Sequence, residues 1–258
     1  MIYDTIRYDL AEDVAVVTLA RPEVMNALSS QMRAEITHAV QQGGREARVV
    51  VLTGEGRAFC SGQDLGDRES AASIDLERVL RDEYIPMLNA IADCPRPTIA
   101  AVNGAAAGAG ANLALAADVV IAADSAFFMQ AFARIGLIPD AGGTWALPRQ
   151  MGLAKALGAA LFAERISAAQ AERWGMIWEA VPDADFDTVW RARAAHLAQG
   201  PSEAYARIKT ALRRAFDNDL QTQLTLEAQL QGECGMTRDF KEGVVAFHEK
   251  RSPRFEGR

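Results

Sequence analysis

Sixteen residues, Asn103 to Asp118, constrain this chain more than any other stretch: Asn-Gly-Ala-Ala-Ala-Gly-Ala-Gly-Ala-Asn-Leu-Ala-Leu-Ala-Ala-Asp. A β-branched run, Thr98-Ile99-Ala100-Ala101-Val102, precedes them and another, Val119-Val120-Ile121, follows. Both read as buried strands. Between them the only large apolar side chains are Leu113 and Leu115, so backbone can come close to backbone, or to a ligand, along the first half. A helix starting near Gly108 would aim free N–H groups at whatever lies before it. Tight helix–sheet packing alone would also explain the composition, and the glycines at 104, 108 and 110 lack the spacing of a dinucleotide fingerprint. The apolar span from Thr98 to Ala123 contains Asn103, Asn112 and Asp118, which argues for a buried soluble segment rather than a membrane helix.

The rest of the pattern is that of an α/β protein. Residues 3–10 and 13–19 alternate around a turn as a hairpin. Ser29 or Ser30 caps a helix that is expected to reach about Gln42 and to end at Gly43-Gly44. Arg48 to Thr53 reads as a strand without a polar face, and the Gly-rich segment 54–65 after it as an irregular loop at the strand's carboxyl end, where α/β sheets place ligands. Residues 75–92 are helical, stopped by Cys94-Pro95-Arg96-Pro97. A short strand, Ala126 to Met129, and a Gly-rich segment, 134–144, come next. Helices then dominate, with breaks expected near Gly175 to Pro182, Gly200-Pro201, Asp217-Asn218 and Gly232. Strands alternate with helices to about residue 182 and only helices follow, which predicts a core over 1–195 and a helical region over 196–258. No repeat of fixed period is visible in the sequence.

Bulk properties exclude several functions. A chain of 258 residues with a net charge of −7 and a pI near 5.1 has no general affinity for nucleic acid or for an anionic membrane surface. Cys60, Cys94 and Cys234 lie far apart and their odd number fits reduced thiols. The first residues lack a basic region followed by an apolar one, so a cytoplasmic location is expected. The three histidines, His38, His196 and His248, all fall in helical patterns, so neither a Ser-His-Asp triad nor a metal site is expected. Cys60 has no base nearby in sequence to make it a nucleophile.

Three Gly-rich loops, 54–65, 103–110 and 136–144, suggest a shared pocket of backbone N–H donors whose ionisable candidates are Asp64, Asp118 and Asp140. Asp118 reads as a loop-fixing acceptor of backbone N–H bonds, and Asp64 with Arg68 as a surface pair. Asp140 reads either as an N-cap for the turn at Gly142-Gly143-Thr144 or as a base, whose pKa an apolar pocket would raise. Phe127, Phe128 and Phe132 are core or pocket residues.

Four segments, Arg21-Pro22-Glu23-Val24-Met25-Asn26-Ala27-Leu28-Ser29, Ala58 to Leu65, Asn103-Gly104 through Asp118, and Gly142-Gly143-Thr144, resemble the crotonase (enoyl-CoA hydratase/isomerase) superfamily over nearly the whole chain. Cys60 to Arg68, Gly136 to Asp140 and Trp174-Gly175-Met176-Ile177-Trp178 are most similar to the branch that holds the ring-1,2-epoxyphenylacetyl-CoA isomerase of phenylacetate degradation. The resemblance implies an α/β spiral of repeated ββα units with C-terminal helices that form trimers, often paired into hexamers. It implies an acyl-CoA substrate, with no cofactor beyond the coenzyme A that is part of that substrate. It also implies an oxyanion hole made by the backbone N–H groups of Gln63 and Ala109. Contacts to the substrate are implied for Val24, Met25, Ser61, Asp64, Leu65 and Lys250, the last in a basic stretch, 250–254, that otherwise reads as a solvated tail.

The family's hydratases carry two glutamates, at positions that are here Asn112 and Phe132. Without them simple hydratase activity is not expected, and both residues become acyl-pocket candidates. Asp140 stands where the family's isomerases carry an acidic base. The resulting expectation is an acyl-CoA isomerase acting on an epoxyphenylacetyl-CoA, a 3-enoyl-CoA, or both. The alternatives are a hydrolase or dehalogenase in which Asp140 attacks as a nucleophile, and a silent acyl-CoA-binding or RNA-binding protein.

Overall fold

The computed structural model describes residues 3–66 and 75–258. The apolar runs become a six-stranded sheet in the order β1 (Ile6–Ala11), β2 (Val14–Leu19), β3 (Val49–Gly54), β5 (Thr98–Val102), β7 (Val119–Ala123) and β10 (Glu179–Val181). Within this sheet only β1 and β2 pair antiparallel, through a two-residue turn in which Glu12 and Asp13 both take positive φ, the geometry whose twist suits a tight hairpin. The later pairings in this sheet are parallel, and Val49 to Leu52 and Ile99 to Val102 are buried on both faces, which is why their runs show no polar alternation.

A second sheet holds four short strands, β4 (Ala58–Cys60), β6 (Ala105–Ala107), β8 (Phe127–Met129) and β9 (Arg165–Ser167), in that order. Each turn of the chain sends one strand to each sheet: β3 then β4, β5 then β6, β7 then β8. Helices complete the turns, so the ββα spiral implied by the resemblance is present. The turns open at Val49, Thr98 and Val119, spacings too unequal to leave a period in the sequence.

Helix α1 (Ser30–Glu46) is capped by the Ser29 hydroxyl, which accepts from the Met32 N–H. It does not stop at Gly43-Gly44. A Cβ on Gly43 would lie 2.9 Å from that of Ala15, and one on Gly44 would lie 3.1 Å from the Cys94 sulfur, so these glycines let the helix lie against its neighbours. The supposed loops 54–65 and 103–110 likewise contain β4 and β6. Strands this short give no period-2 signal, and the edge strand β9 was missed in a segment read as helix.

Two short helices, α2 (Leu76–Val79) and α3 (Ile85–Ala92), flank a π turn at Leu80–Tyr84, and α4 (Ala109–Leu115) follows β6. After β8 come a 3-10 turn at Ala131–Ile135, α5 (Gly143–Met151) and α6 (Leu153–Phe162), and after β9 comes α7 (Ala168–Arg173). Beyond β10 there are only helices: α8 (Phe186–Ala198), α9 (Ser202–Arg214), α10 (Leu220–Gly235) and α11 (Arg238–Glu249). Helix α10 runs through Gly232, where an added Cβ would meet nothing within 4 Å, so that glycine is no break. The boundary expected at 195/196 falls inside α8, and the chain actually changes direction at Gln199–Pro201.

Asp118 holds the C-terminal helices to the sheet. It accepts from the Thr98 N–H at 2.8 Å, as expected of a loop-fixing carboxylate, and it also pairs with Lys209 and Arg213 of α9, each at 2.7 Å. The cationic partners lie about ninety residues downstream and could not be read from the loop. Among the described residues, no helix is long and apolar enough to cross a membrane.

Candidate active site

The ends of β4, β6 and the 3-10 turn at Ala131–Ile135 meet around a cavity of about 290 Å³. Its walls include Ser61, Gln63, Leu65, Ala109, Phe132 and Asp140, residues drawn from all three Gly-rich segments. The pocket that those segments suggested therefore exists.

Glycine makes the convergence possible. Gly62 has a φ of +100°, and a Cβ there would lie 2.8 Å from the Ala107 carbonyl oxygen and 3.4 Å from the Ala109 nitrogen. A Cβ on Gly110 would sit 2.2 Å from the Cys60 carbonyl oxygen, backbone against backbone. These two positions bring the peptides at 62–63 and 108–110 into contact.

Gln63 and Ala109, whose N–H groups the resemblance singles out, both line the cavity. Leu28 bridges to Gln63, donating to the Gly62 carbonyl at 2.8 Å and accepting from the Asp64 N–H at 3.2 Å. In an extended segment alternate N–H groups point opposite ways, so the intervening N–H, that of Gln63, faces away from Leu28. Gly108 precedes α4 with a positive φ of 53° and donates its own N–H to Met129, while the Gly108 carbonyl accepts from Ala111 and Asn112. Ala109 is the first residue of the helix, where an N–H has no intrahelical acceptor.

Asp140 lines the same cavity. Its Oδ1 is buried without a hydrogen-bond partner among the described residues. Burial lifts its pKa from the ordinary 3.8 to about 6, against a smaller lowering by its own backbone N–H. The N-cap alternative is not what the structure has: α5 is capped by Gly142 with no side-chain bond, and Asp140 contributes only its carbonyl, to the Gly143 N–H at 2.8 Å.

Asn112 needs correcting. It is buried, but it stands behind the cavity wall rather than in it. Its amide nitrogen donates to the Asp140 carbonyl at 2.7 Å and its oxygen accepts from Gln130 at 2.9 Å. A Cβ on Gly143 would lie 2.3 Å from that amide nitrogen, so Gly143 is what lets Asn112 reach the Asp140 backbone. Phe132 does line the cavity, whereas Phe128 is fully buried core.

The other expected residues separate into two groups. Ser61 and Leu65 line the cavity; Val24 and Met25 flank it, half-exposed, with the Met25 carbonyl accepting from the Ser61 N–H and the Val24 carbonyl from its hydroxyl. Asp64 pairs with Arg21 at 2.7 Å, and that guanidinium holds its carboxyl below the usual range. Its expected partner, Arg68, lies outside the described residues. Lys250 is not brought to the cavity within one chain, since it caps the far end of α11, and its neighbour Arg251 is already paired with Glu242 and Glu249. Cys60 is a fully buried thiol whose pKa is pushed up to about 12, which removes it as a nucleophile.

Sequence reading missed Arg33, Glu83 and Tyr84. Arg33 is only 2% exposed although charged, and it reaches the Gln63 side chain, as does the Tyr84 hydroxyl. The signal was present: Arg33 falls at helical spacing with Ile36 and Val40, on the inward face of α1.

A spiral of ββα units whose Gly-rich segments bring Gln63, Ala109 and Asp140 to the walls of one largely apolar cavity is that of an acyl-CoA enzyme of the crotonase superfamily. The sequence model of the enoyl-CoA hydratase/isomerase family matches residues 9–258, and the chain belongs to that family. It is 66% identical, over the whole length of both chains, to a Rhodobacter capsulatus protein named "Probable enoyl-CoA hydratase". It is 46% identical, over 95% of each chain, to the 1,2-epoxyphenylacetyl-CoA isomerase of Escherichia coli. The crystal structure of an enoyl-CoA hydratase from Bacillus anthracis superposes with a TM-score of 0.91 at 34% identity, covering 99% of this chain and all of the other.

Proposed function

We propose that this protein is an isomerase of acyl-CoA thioesters, in which Asp140 moves a proton and the Gln63 and Ala109 N–H groups hold the thioester oxygen. The observation that carries the reading is the single unpaired carboxylate of Asp140, the only one among the described residues lining the cavity. In a 3-enoyl-CoA, Asp140 takes a proton from the α-carbon, the electron pair moves onto the thioester oxygen, and the same carboxylic acid returns the proton at the γ-carbon. No water is consumed and no second carboxylate is required. Epoxyphenylacetyl-CoA, converted to its oxepin, is the favoured substrate, because that ring opening also needs neither water nor a net proton. The aromatic and aliphatic walls around Phe132 suit either acyl group, and the 46% identical relative is named for the epoxide reaction. A hydrogen-bond donor of an oxyanion hole contributes roughly 3–4 kcal/mol in other enzymes. Turnover of a panel holding both substrate types and crotonyl-CoA tests the reading.

A proton-accepting Asp140 sets the pH dependence. The base must be ionised, so kcat/KM is expected to fall as pH drops through about 6, with an acidic limb near that value in the free enzyme. A limb near 4 would mean that Asp140 is not desolvated in the working enzyme.

The substrate contacts proposed for Val24, Met25, Ser61, Asp64 and Leu65 follow from their places on or beside the cavity. Residues 196–258 are proposed to form the subunit interface of a homotrimer or a dimer of trimers, with Lys250 approaching CoA across it. Ile208, Phe240 and Phe247 are 51%, 53% and 81% exposed on these helices, and they line an apolar groove of about 860 Å³. Light scattering at micromolar concentration is expected to give three or six chains; a monomer would contradict the proposal.

A further inference from the structure

Around the cavity wall at Gln63 and Tyr84 lies a polar cluster, centred on the buried Arg33, that the proposed reaction does not use. Arg33 of α1 donates Nε and Nη2 to Glu83 Oε2 at 3.1 and 2.6 Å, and Nη2 also reaches the Ser30 hydroxyl at 3.1 Å. Its Nη1 goes elsewhere, to the Leu28 carbonyl at 2.5 Å and to Gln63 Oε1 at 3.0 Å. The guanidinium lies over the Tyr84 ring at 4.8 Å, and the Tyr84 hydroxyl donates to the same Gln63 Oε1 at 2.6 Å. Gln63 Nε2 completes the set by donating to the Asp64 carbonyl at 3.2 Å.

Stability alone is a weak reason to bury a guanidinium, because desolvation offsets much of what its ion pair contributes and apolar replacements often do as well. What distinguishes this arginine is where its remaining donor goes. Leu28 is the residue that bridges to Gln63 from the opposite side, so Arg33 Nη1 grips both the bridge and the side chain of the residue it bridges to. With Oε1 held by two donors and Nε2 bonded one residue on, the Gln63 side chain has no freedom to rotate, and neither has the peptide that carries its N–H. The π turn at Leu80–Tyr84 places Glu83 and Tyr84 on this one cluster.

We infer that Arg33, with Tyr84, is a positioning residue for the oxyanion hole, acting through the Gln63 side chain to fix the direction of the Gln63 N–H. The inference rests on the proposed role of that N–H. It assigns a function to the glutamine side chain, whose amide is occupied by Arg33, Tyr84 and the Asp64 carbonyl. Misplacement of a reacting group by about 1 Å can cost on the order of 100-fold in rate, so loosening this clamp should show in turnover more than in binding.

The test uses Gln63→Met, Arg33→Lys and Tyr84→Phe in the full-length protein, with Asp140→Asn as a control. Infrared difference spectra of bound phenylacetyl-CoA carrying a 13C carbonyl report how strongly the hole polarises the thioester. The wild type and Asp140→Asn are expected to shift the carbonyl band to lower frequency, whereas Gln63→Met and Arg33→Lys lose most of that shift and Tyr84→Phe loses part. Turnover of the three clamp variants should fall by about 10-fold to 100-fold with KM changed by less than about threefold. Thermal melting identifies any variant that fails to fold, and Tyr84→Phe, which removes one hydroxyl, keeps the test open if the others do. A wild-type shift that persists unchanged in the folded clamp variants overturns the positioning role and leaves the oxyanion hole standing. No shift in the wild type overturns the oxyanion hole itself, and this inference with it.

Discussion

Replacing Asp140 with asparagine is expected to lower kcat by about 10²–10⁴, the usual scale for a lost general base, with substrate binding little changed. The substitution is nearly isosteric and Asp140 bonds to the rest of the protein through its backbone, to Asn112 and Gly143, so the loop should keep its place. Its effect on stability has the opposite sign. The folded protein holds the Asp140 proton up to about pH 6, whereas the unfolded chain releases it near 3.8. Between those values the native state binds more protons, so the stabilising contribution is full below 3.8 and is lost as pH rises through 6. At pH 7 to 8 the wild type therefore carries an ionised, unpaired carboxylate that asparagine removes, and the variant should melt at a higher temperature while it turns over far more slowly. Steady-state kinetics beside thermal melts at pH 5 and pH 8 read both effects. Full turnover in Asp140→Asn would end the proposed mechanism, and a melting difference that grows towards pH 5 would show that the sign was wrong.

Crotonyl-CoA hydration is expected to be slower than isomerisation of a 3-enoyl-CoA by about 10³-fold or more, because each missing acid or base is worth roughly 10²–10⁴. Water addition needs one group to activate water and one to protonate the α-carbon. Phe132 has no proton to exchange. Asn112 is neutral, and both ends of its amide are occupied, by Gln130 and by the Asp140 carbonyl. That leaves Asp140 as the one carboxylate among the described residues lining the cavity. Loss of the enoyl-thioester absorbance in the ultraviolet measures hydration directly. Because the 66% identical relative is named for hydration and the 46% identical one for isomerisation, this single assay separates the two activities on one sample. Rapid hydration would show that one carboxylate with the backbone donors suffices for water chemistry.

The sequence by itself determined the parts of this protein whose cause is local. Val49 to Leu52 and Ile99 to Val102 have to be buried strands, because an apolar run without alternation has no face to offer water. Gly62 and Gly110 mark a place where backbones converge, since a side chain there would meet another backbone, and the family motif around them is legible for that reason. The lack of carboxylates at 112 and 132 is likewise a fact of composition, and with it the argument against hydration.

Tertiary structure alone decided what each of these residues does. Gly43-Gly44 reads as a helix end in one dimension, yet the helix continues, because the sheet and Cys94 press on it from parts of the chain some thirty to fifty residues away. Asn112 stands at the position of a glutamate in the family's hydratases, and its amide instead holds the Asp140 carbonyl. Whether Asp140 caps a helix turned on where its side chain goes: it does not cap α5, its Oδ1 is buried with no hydrogen-bond partner among the described residues, and burial raises its pKa. Arg33 is the clearest case. Its spacing showed that it faces inward, but its partners Gln63, Glu83 and Tyr84 lie thirty to fifty-one residues further on, and a hydrogen bond between such residues exists only once the whole chain has folded.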